Sequence, residues 1–180
     1  MNLPNKITML RITLVPFFLF IFLARPTTDI LNAWLALILF VVAAVTDAVD
    51  GYLARKLGLV TNLGKLIDPL ADKLLACSAL IAFVSTGHVP AWAVILIVSR
   101  ELYISGLRQL SLEQGFVLSA SESGKIKTVL QMTLIIYILL PPPFSLLVFD
   151  VVVFVLVMIT AAASLISAID YTLKMRVLFQ

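Results

Sequence analysis

Residues 47–72 read DAVDGYLARKLGLVTNLGKLIDPLAD. In a chain that is otherwise overwhelmingly apolar, this stretch holds four carboxylates in two pairs. Asp47 and Asp50 are three residues apart, and Asp68 and Asp72 are four apart. At ~3.6 residues per turn, each pair falls on one face of its own helix. Between the pairs runs a short polar link carrying Arg55, Lys56, Thr61, Asn62 and Lys65. The expected arrangement is two helices meeting at a membrane surface, each offering two acids. Four like charges crowded into a poorly solvated place do not all stay ionised unless cations sit between them. The donors are oxygens alone, which favours magnesium or manganese over zinc or copper.

The surrounding chain accounts for the membrane surface. Its 180 residues are 62% hydrophobic and 13% charged, with a mean hydropathy of +1.12. A soluble domain is typically about half apolar and a quarter charged, so the composition is that of an integral membrane protein. Apolar segments over 7–24, 31–55, 65–86, 90–112, 124–141 and 146–172 are each long enough to cross a bilayer. The first carries Lys6 and Arg11 ahead of its apolar run, yet Leu23-Ala24-Arg25-Pro26 is a poor cleavage site, so it reads as a retained helix.

With six crossings, twelve of the thirteen basic residues fall on the side of the termini, and Arg25 alone lies near the other. This is the positive-inside pattern, so the termini and the acidic stretch are expected to face the cytoplasm. It also explains the pI near 9.2 without nucleic acid. The opposite links, near Pro26, Pro90 and Pro141, are short and proline-marked, as tight turns require. The expected organisation is one six-helix transmembrane catalytic domain over 1–180. Cys77, alone of its kind in an apolar run, reads as inert packing. His88 falls in a predicted loop, which argues against histidine-centred catalysis.

Around the acids, the residue types favour a ligand that carries phosphate. Asp47, Asp50 and Ala54 share a helical stripe, and Gly51 and Ala54 remove bulk beside the carboxylates. Arg55 brings a guanidinium suited to phosphate to the same end. Asp68 and Asp72 open the next helix, where Pro69 is expected to bend its first turn. Two plainer readings compete. The acids are solvated helix ends paired with Arg55, Lys65 and Lys73, or they line a cation path through a transporter. Four acids at helical spacing flanked by Gly and Ala disfavour the first. Their clustering at one end, instead of stepping through the bilayer, disfavours the second.

The full spacing is D-x2-D-G-x2-A-R-x8-G-x3-D-x3-D, supplied by Asp47, Asp50, Gly51, Ala54, Arg55, Gly64, Asp68 and Asp72. It resembles the signature of the CDP-alcohol phosphotransferases at all eight positions. The resemblance implies a six-helix membrane bundle, usually homodimeric, that joins a CDP-linked lipid to an alcohol and releases CMP. It implies that Asp47, Asp50, Asp68 and Asp72 bind two divalent ions, Mg2+ or Mn2+, and that Asp72 also accepts the proton. Gly51, Ala54, Arg55, Thr61 and Gly64 would line the CDP side, with Asn5 and Thr8 of the amino-terminal NLPNKIT helping to hold the nucleotide-lipid. No Ser, Cys or His stands within 47–72 as a nucleophile, so direct displacement without a covalent enzyme intermediate is expected.

The alcohol is read from the fourth and fifth segments. Arg100 and Glu101 lie inside the fourth, where charge is costly, and Glu101, Ser105 and Arg108 share a face. A structural Arg–Glu network is the plainer account of Arg100, and Arg108 is the better phosphate ligand. The fifth opens SESGKIKT, with Lys125 and Lys127 in a first turn where the helix dipole disfavours cations unless an anion docks there. Lys125 shares a face with Thr128 whereas Lys127 points elsewhere, so Lys125 is the expected ligand.

Arg100, Arg108 and Lys125 together call for an acceptor that bears its own phosphate. NLPN, SRE-x4-GLR and GKIKT-x2-Q are similar to the branch of the family that uses sn-glycerol 3-phosphate as acceptor and CDP-diacylglycerol as donor, in the bacterial cytoplasmic membrane. Inositol phosphate, serine and phosphatidylglycerol are the alternative acceptors. The last segment shows no motif. Asp150 and Asp170 read as structural, and Tyr171 is expected to mark the membrane interface.

Overall fold

The apolar segments fold as helices, as their length and composition lead one to expect. The structure, a computed structural model, describes residues 3–24, 30–57, 62–115, 121–141 and 149–178. Side chains are described within these ranges except at 3–8, 47–57, 62–70, 72 and 177–178. Six helices make up the described residues: α1 Leu3–Ala24, α2 Ile30–Leu57, α3 Asn62–Ser85, α4 Ala91–Glu113, α5 Glu122–Leu139 and α6 Phe149–Leu178. They correspond one for one to the six expected segments. The helix starts and stops follow local chemistry. Pro90 is extended (φ −69°, ψ 140°) and precedes α4, while Gly115 takes φ +80° just past its end, a conformation that costs glycine nothing. α3 begins at Asn62, so Pro69 lies in its second turn and not its first.

α6 is apolar over Phe149–Arg176, 28 residues or ~42 Å at ~1.5 Å per residue, ample for a hydrocarbon core of ~30 Å. Among the described residues it is the one helix that meets that criterion in full; Met9–Ala24, Ile30–Thr46 and Lys73–Ser85 are shorter apolar helices.

The chain forms two compact units. The first comprises Met1–Thr86 with Leu139–Leu147, and here α1, α2 and α3 pack on one another. Its centre is aromatic: Phe18 stands 6.0 Å from Phe22 and 5.7 Å from Phe40, and Phe22 meets Phe83 edge-on at 5.2 Å. Alanines at 33, 36 and 43 of α2 and at 71, 76 and 79 of α3 are buried as well. Such small residues let membrane helices approach closely.

The second unit comprises Gly87–Ile138 with Val148–Gln180, where α4 packs on α6. Ala93, Ile97 and Ile104 give α4 its buried face, and Val153, Val157 and Ala161 do so for the first half of α6. His88, before α4, meets the ring of Phe149 at the start of α6 edge-on at 5.9 Å, and Phe149 stacks on Tyr137 of α5 at 5.4 Å.

Candidate functional site

The first unit carries the acids. Asp47 and Asp50 lie one turn apart near the end of α2, and Asp68 and Asp72 lie one turn apart in the first half of α3. Residues 58–61 alone separate these neighbouring helices, so both pairs lie at the same end of α2 and α3. Gly51, Ala54 and Arg55 continue along α2, and Gly64 lies in the first turn of α3. Asn5 and Thr8 belong to the first two turns of α1. The side chains of all these residues, and Thr61 as a whole, lie outside the described residues. Arg11, on the same helix as Asn5 and Thr8, is buried to 1% exposure.

The second unit carries the basic residues, and its described side chains form a connected cluster. Arg100 and Arg108 sit two turns apart on α4, and both guanidinium groups lie over the ring of Tyr171 on α6. Their central carbons are 5.9 and 5.4 Å from its centroid, within cation–π range. The phenol anchors the second of them: Arg108 Nη2 donates to Tyr171 Oη at 2.6 Å, and the Ser121 backbone N–H donates to the same oxygen at 3.1 Å. Arg100 is held on two sides. Its Nη1 donates to Glu101 Oε1 at 3.1 Å, and its Nη2 donates to Ser167 Oγ on α6. In both arginines the buried Nε–H has no hydrogen-bond partner. Leaving a buried charged donor unpaired costs on the order of 1–3 kcal/mol or more.

The two lysines of α5 take opposite situations. Lys127 is buried (1% exposed), and its ammonium donates to Glu101 Oε1 and to Gln131 Oε1. Lys125 is 62% exposed and pairs with Glu122, three residues earlier, at 2.7 Å. The structure thus brings Arg100 and Arg108 together on Tyr171, joins Lys127 to them through Glu101, and leaves Lys125 on the surface.

The start of α5 is already furnished with partners. Ser121 caps it, with Oγ accepting from the Gly124 N–H at 3.2 Å, and Ser123 donates to Asp170 Oδ2 at 2.7 Å. Asp170 also accepts from Lys174 at 3.2 Å, which agrees with the structural role expected of it. A Cβ on Gly124 would meet Ser121 Oγ at 3.3 Å and the Tyr171 ring at 3.5 Å, so glycine lets the tyrosine close on this turn.

Sequence reasoning missed the contacts of Tyr171: expected to mark the membrane interface, it is buried to 1% exposure at the centre of the cluster. A signal was present: Thr160, Ser164, Ser167 and Tyr171 recur every three or four residues along an otherwise apolar helix, and all four are buried. A polar stripe on one face of such a helix marks the face turned to protein.

Comparison with known proteins bears on both units. Residues 1–167 match the family model described as CDP-alcohol phosphatidyltransferase. The chain is 47% identical over 162 residues to a CDP-diacylglycerol–glycerol-3-phosphate 3-phosphatidyltransferase of Bacillus subtilis, covering 82% of each chain. A Rickettsia felis protein of the same name is 37% identical over 171 residues, covering 94% of this chain and 93% of the relative. One from Escherichia coli is 37% identical over 147 residues, covering 78% of each.

Proposed function

The chain belongs to the CDP-alcohol phosphatidyltransferase family, and from that premise we propose that it transfers the phosphatidyl group of CDP-diacylglycerol to sn-glycerol 3-phosphate. The products are phosphatidylglycerophosphate and CMP, in the synthesis of phosphatidylglycerol and cardiolipin. The observation that carries the acceptor is the pair of arginines on Tyr171, each with an unpartnered buried Nε–H. A phosphate-bearing acceptor satisfies these donors; serine, which bears no phosphate, does not. Arg100 and Arg108 are its ligands, with Lys125 as the third. An exposed lysine whose partner is a surface glutamate gives up that pairing at a cost of only ~0–1 kcal/mol.

The acids fit a divalent cofactor. Two pairs of carboxylates, each one turn apart at the same end of neighbouring helices, form an all-oxygen donor set. Asp47, Asp50, Asp68 and Asp72 would hold two Mg2+ or Mn2+ ions, which when bound neutralise the pyrophosphate and the departing CMP. The chain's own groups do the rest. Asn5, Thr8, Gly51, Ala54, Arg55, Thr61 and Gly64 hold the CDP-lipid, the two small residues on α2 admitting it close to the backbone. Asp72 takes the proton of the glycerol 1-hydroxyl as that oxygen bonds to the phosphatidyl phosphorus and the bond to CMP breaks. No covalent enzyme intermediate forms.

The protein acts as a six-span catalytic domain in the bacterial cytoplasmic membrane, with both termini and the acids on the cytoplasmic side, and as a homodimer. Supporting the spans are large apolar side chains turned outward on helices of both units, among them Phe20, Leu31, Ile81, Ile95, Val151 and Ile166. Lipid is the solvent that suits so much exposed apolar surface.

The test is a mass-spectrometric assay of the purified protein in detergent with CDP-diacylglycerol and magnesium. Glycerol 3-phosphate, inositol phosphate, serine and phosphatidylglycerol are offered separately. Phosphatidylglycerophosphate with stoichiometric CMP, abolished by EDTA and restored by magnesium, is the expected result. Product with serine overturns the reading of the arginines and keeps that of the acids, whereas product with inositol phosphate keeps both and changes only the acceptor. Absence of CMP from every acceptor in a folded, magnesium-supplied sample overturns both.

A further inference from the structure

Glu101 is a half-buried carboxylate that the chemistry above leaves unused. One of its oxygens, Oε1, accepts from two cations on different helices: Arg100 Nη1 at 3.1 Å on α4 and the Lys127 ammonium on α5. All three residues are largely removed from solvent, at 8%, 12% and 1% exposure for Arg100, Glu101 and Lys127. Without the carboxylate, a buried ammonium and a buried guanidinium would face each other with little solvent to screen them. With it, the charge of Lys127 is matched inside the protein. Arg100 is then clamped between Glu101 and Ser167, while Tyr171 clamps Arg108.

We propose that Glu101 and Lys127 form a positioning pair for the acceptor phosphate. Glu101 answers the charge of Lys127 and fixes the guanidinium of Arg100. α4 therefore offers two oriented guanidiniums in place of a looser cluster of three mutually repelling cations. Lys127 acts through Glu101 and touches no substrate. The pair raises affinity for an acceptor that carries phosphate and leaves the CDP-lipid side alone. This inference rests on the reading of glycerol 3-phosphate as the acceptor.

Steady-state kinetics on the full-length protein in detergent, with each substrate varied in turn, tests it. Glu101→Gln is expected to raise KM for glycerol 3-phosphate at least tenfold, with KM for CDP-diacylglycerol within twofold of wild type. Glu101→Asp recovers part of the loss. Lys127→Met, which leaves Glu101 opposing the incoming phosphate, also raises KM for glycerol 3-phosphate. The double variant Glu101→Gln/Lys127→Met removes both charges together and returns that KM to within about threefold of wild type. Neither charge is then left unmatched, and the amide oxygen of the introduced glutamine still accepts from Arg100.

A double variant as impaired as Lys127→Met makes Lys127 a direct ligand and overturns the pair. So does a Glu101→Gln protein with an unchanged KM for glycerol 3-phosphate, or with both KM values raised alike. If the single variants do not fold, the double variant decides alone, since it keeps the net charge of the cluster and leaves the introduced amide oxygen to accept from Arg100. A wild-type KM supports the pair, and a KM raised as far as in Arg100→Ala overturns it. Failure of the wild-type protein to make phosphatidylglycerophosphate refutes the acceptor reading itself and is seen in the same experiment.

Discussion

The two units solve the handling of phosphate in opposite ways. In α2 and α3 the candidate groups are acids, closely spaced and local: four aspartates fall within 26 residues on two consecutive helices. In α4, α5 and α6 the candidate groups are bases assembled from afar, with Arg108 bonded to a tyrosine 63 residues away and Lys127 to a glutamate 26 residues away. On the proposed reading, the acids act on phosphate through cations that they recruit, whereas the bases meet it directly and so must be kept apart and aimed by the protein. The first arrangement is set by helical repeat alone, whereas the second needs a tertiary scaffold of Tyr171, Ser167, Ser121 and Glu101.

If that contrast is right, the acidic side should fail in all-or-none fashion and the basic side by degrees. Asp47→Asn is expected to abolish turnover and CDP-lipid binding together. Asp72→Asn should lower kcat by roughly 10²–10⁴-fold, the usual worth of a general base, while keeping more of the CDP-lipid binding. Binding measured by isothermal calorimetry alongside turnover separates the two. Equal loss of binding in both variants would make Asp72 chiefly a metal ligand.

On the basic side, Arg108→Ala should raise KM for glycerol 3-phosphate by about 10–100-fold, the worth of one or two charge-assisted hydrogen bonds of ~1.5–3 kcal/mol. KM for CDP-diacylglycerol should hardly move. The reverse pattern would assign Arg108 to the nucleotide. Tyr171→Phe keeps the ring under both guanidiniums and removes only the oxygen that holds Arg108 and the Ser121 N–H. A smaller rise is expected, about five- to tenfold, with a loss of stability of ~1–3 kcal/mol for the donors left unpaired. An unchanged KM would show that the ring alone orients Arg108.

The same contrast explains what could be read before the fold was known. The helices were legible because each is a long apolar run closed by Pro or Gly, such as α4 between Pro90 and Gly115. The acid motif was legible because spacings of three and four translate directly into helix faces. On α4, Arg100 and Glu101 were singled out because charge inside an apolar segment is rare. Tyr171 and Ser167 gave no such alarm: a lone aromatic near the end of an apolar helix suits the membrane interface equally well, and serine is common in such helices. Taken singly they are ambiguous; their recurrence with Thr160 and Ser164 every three or four residues marks the face of α6 turned to protein, but which side chains of α4 they meet there is set by tertiary packing.

The lysines of α5 are the sharpest case, because helical spacing ranked them and tertiary contacts rank them differently. Residues 125 and 127 lie on nearly opposite faces of one helix, so at most one turns toward the protein. The structure turns Lys127 inward to Glu101 and leaves Lys125 outside with Glu122. For Lys125 to serve the acceptor, its flexible stem must exchange a surface glutamate for phosphate. The gain is then bounded by the difference between two solvent-screened pairs, ~0.2–1 kcal/mol. Lys125→Ala should therefore raise KM for glycerol 3-phosphate only about two- to fivefold, with no change in thermal stability, and the rise should shrink as salt is added. A KM that is unchanged at low salt would remove Lys125 from the acceptor site and leave phosphate recognition to the two arginines on Tyr171.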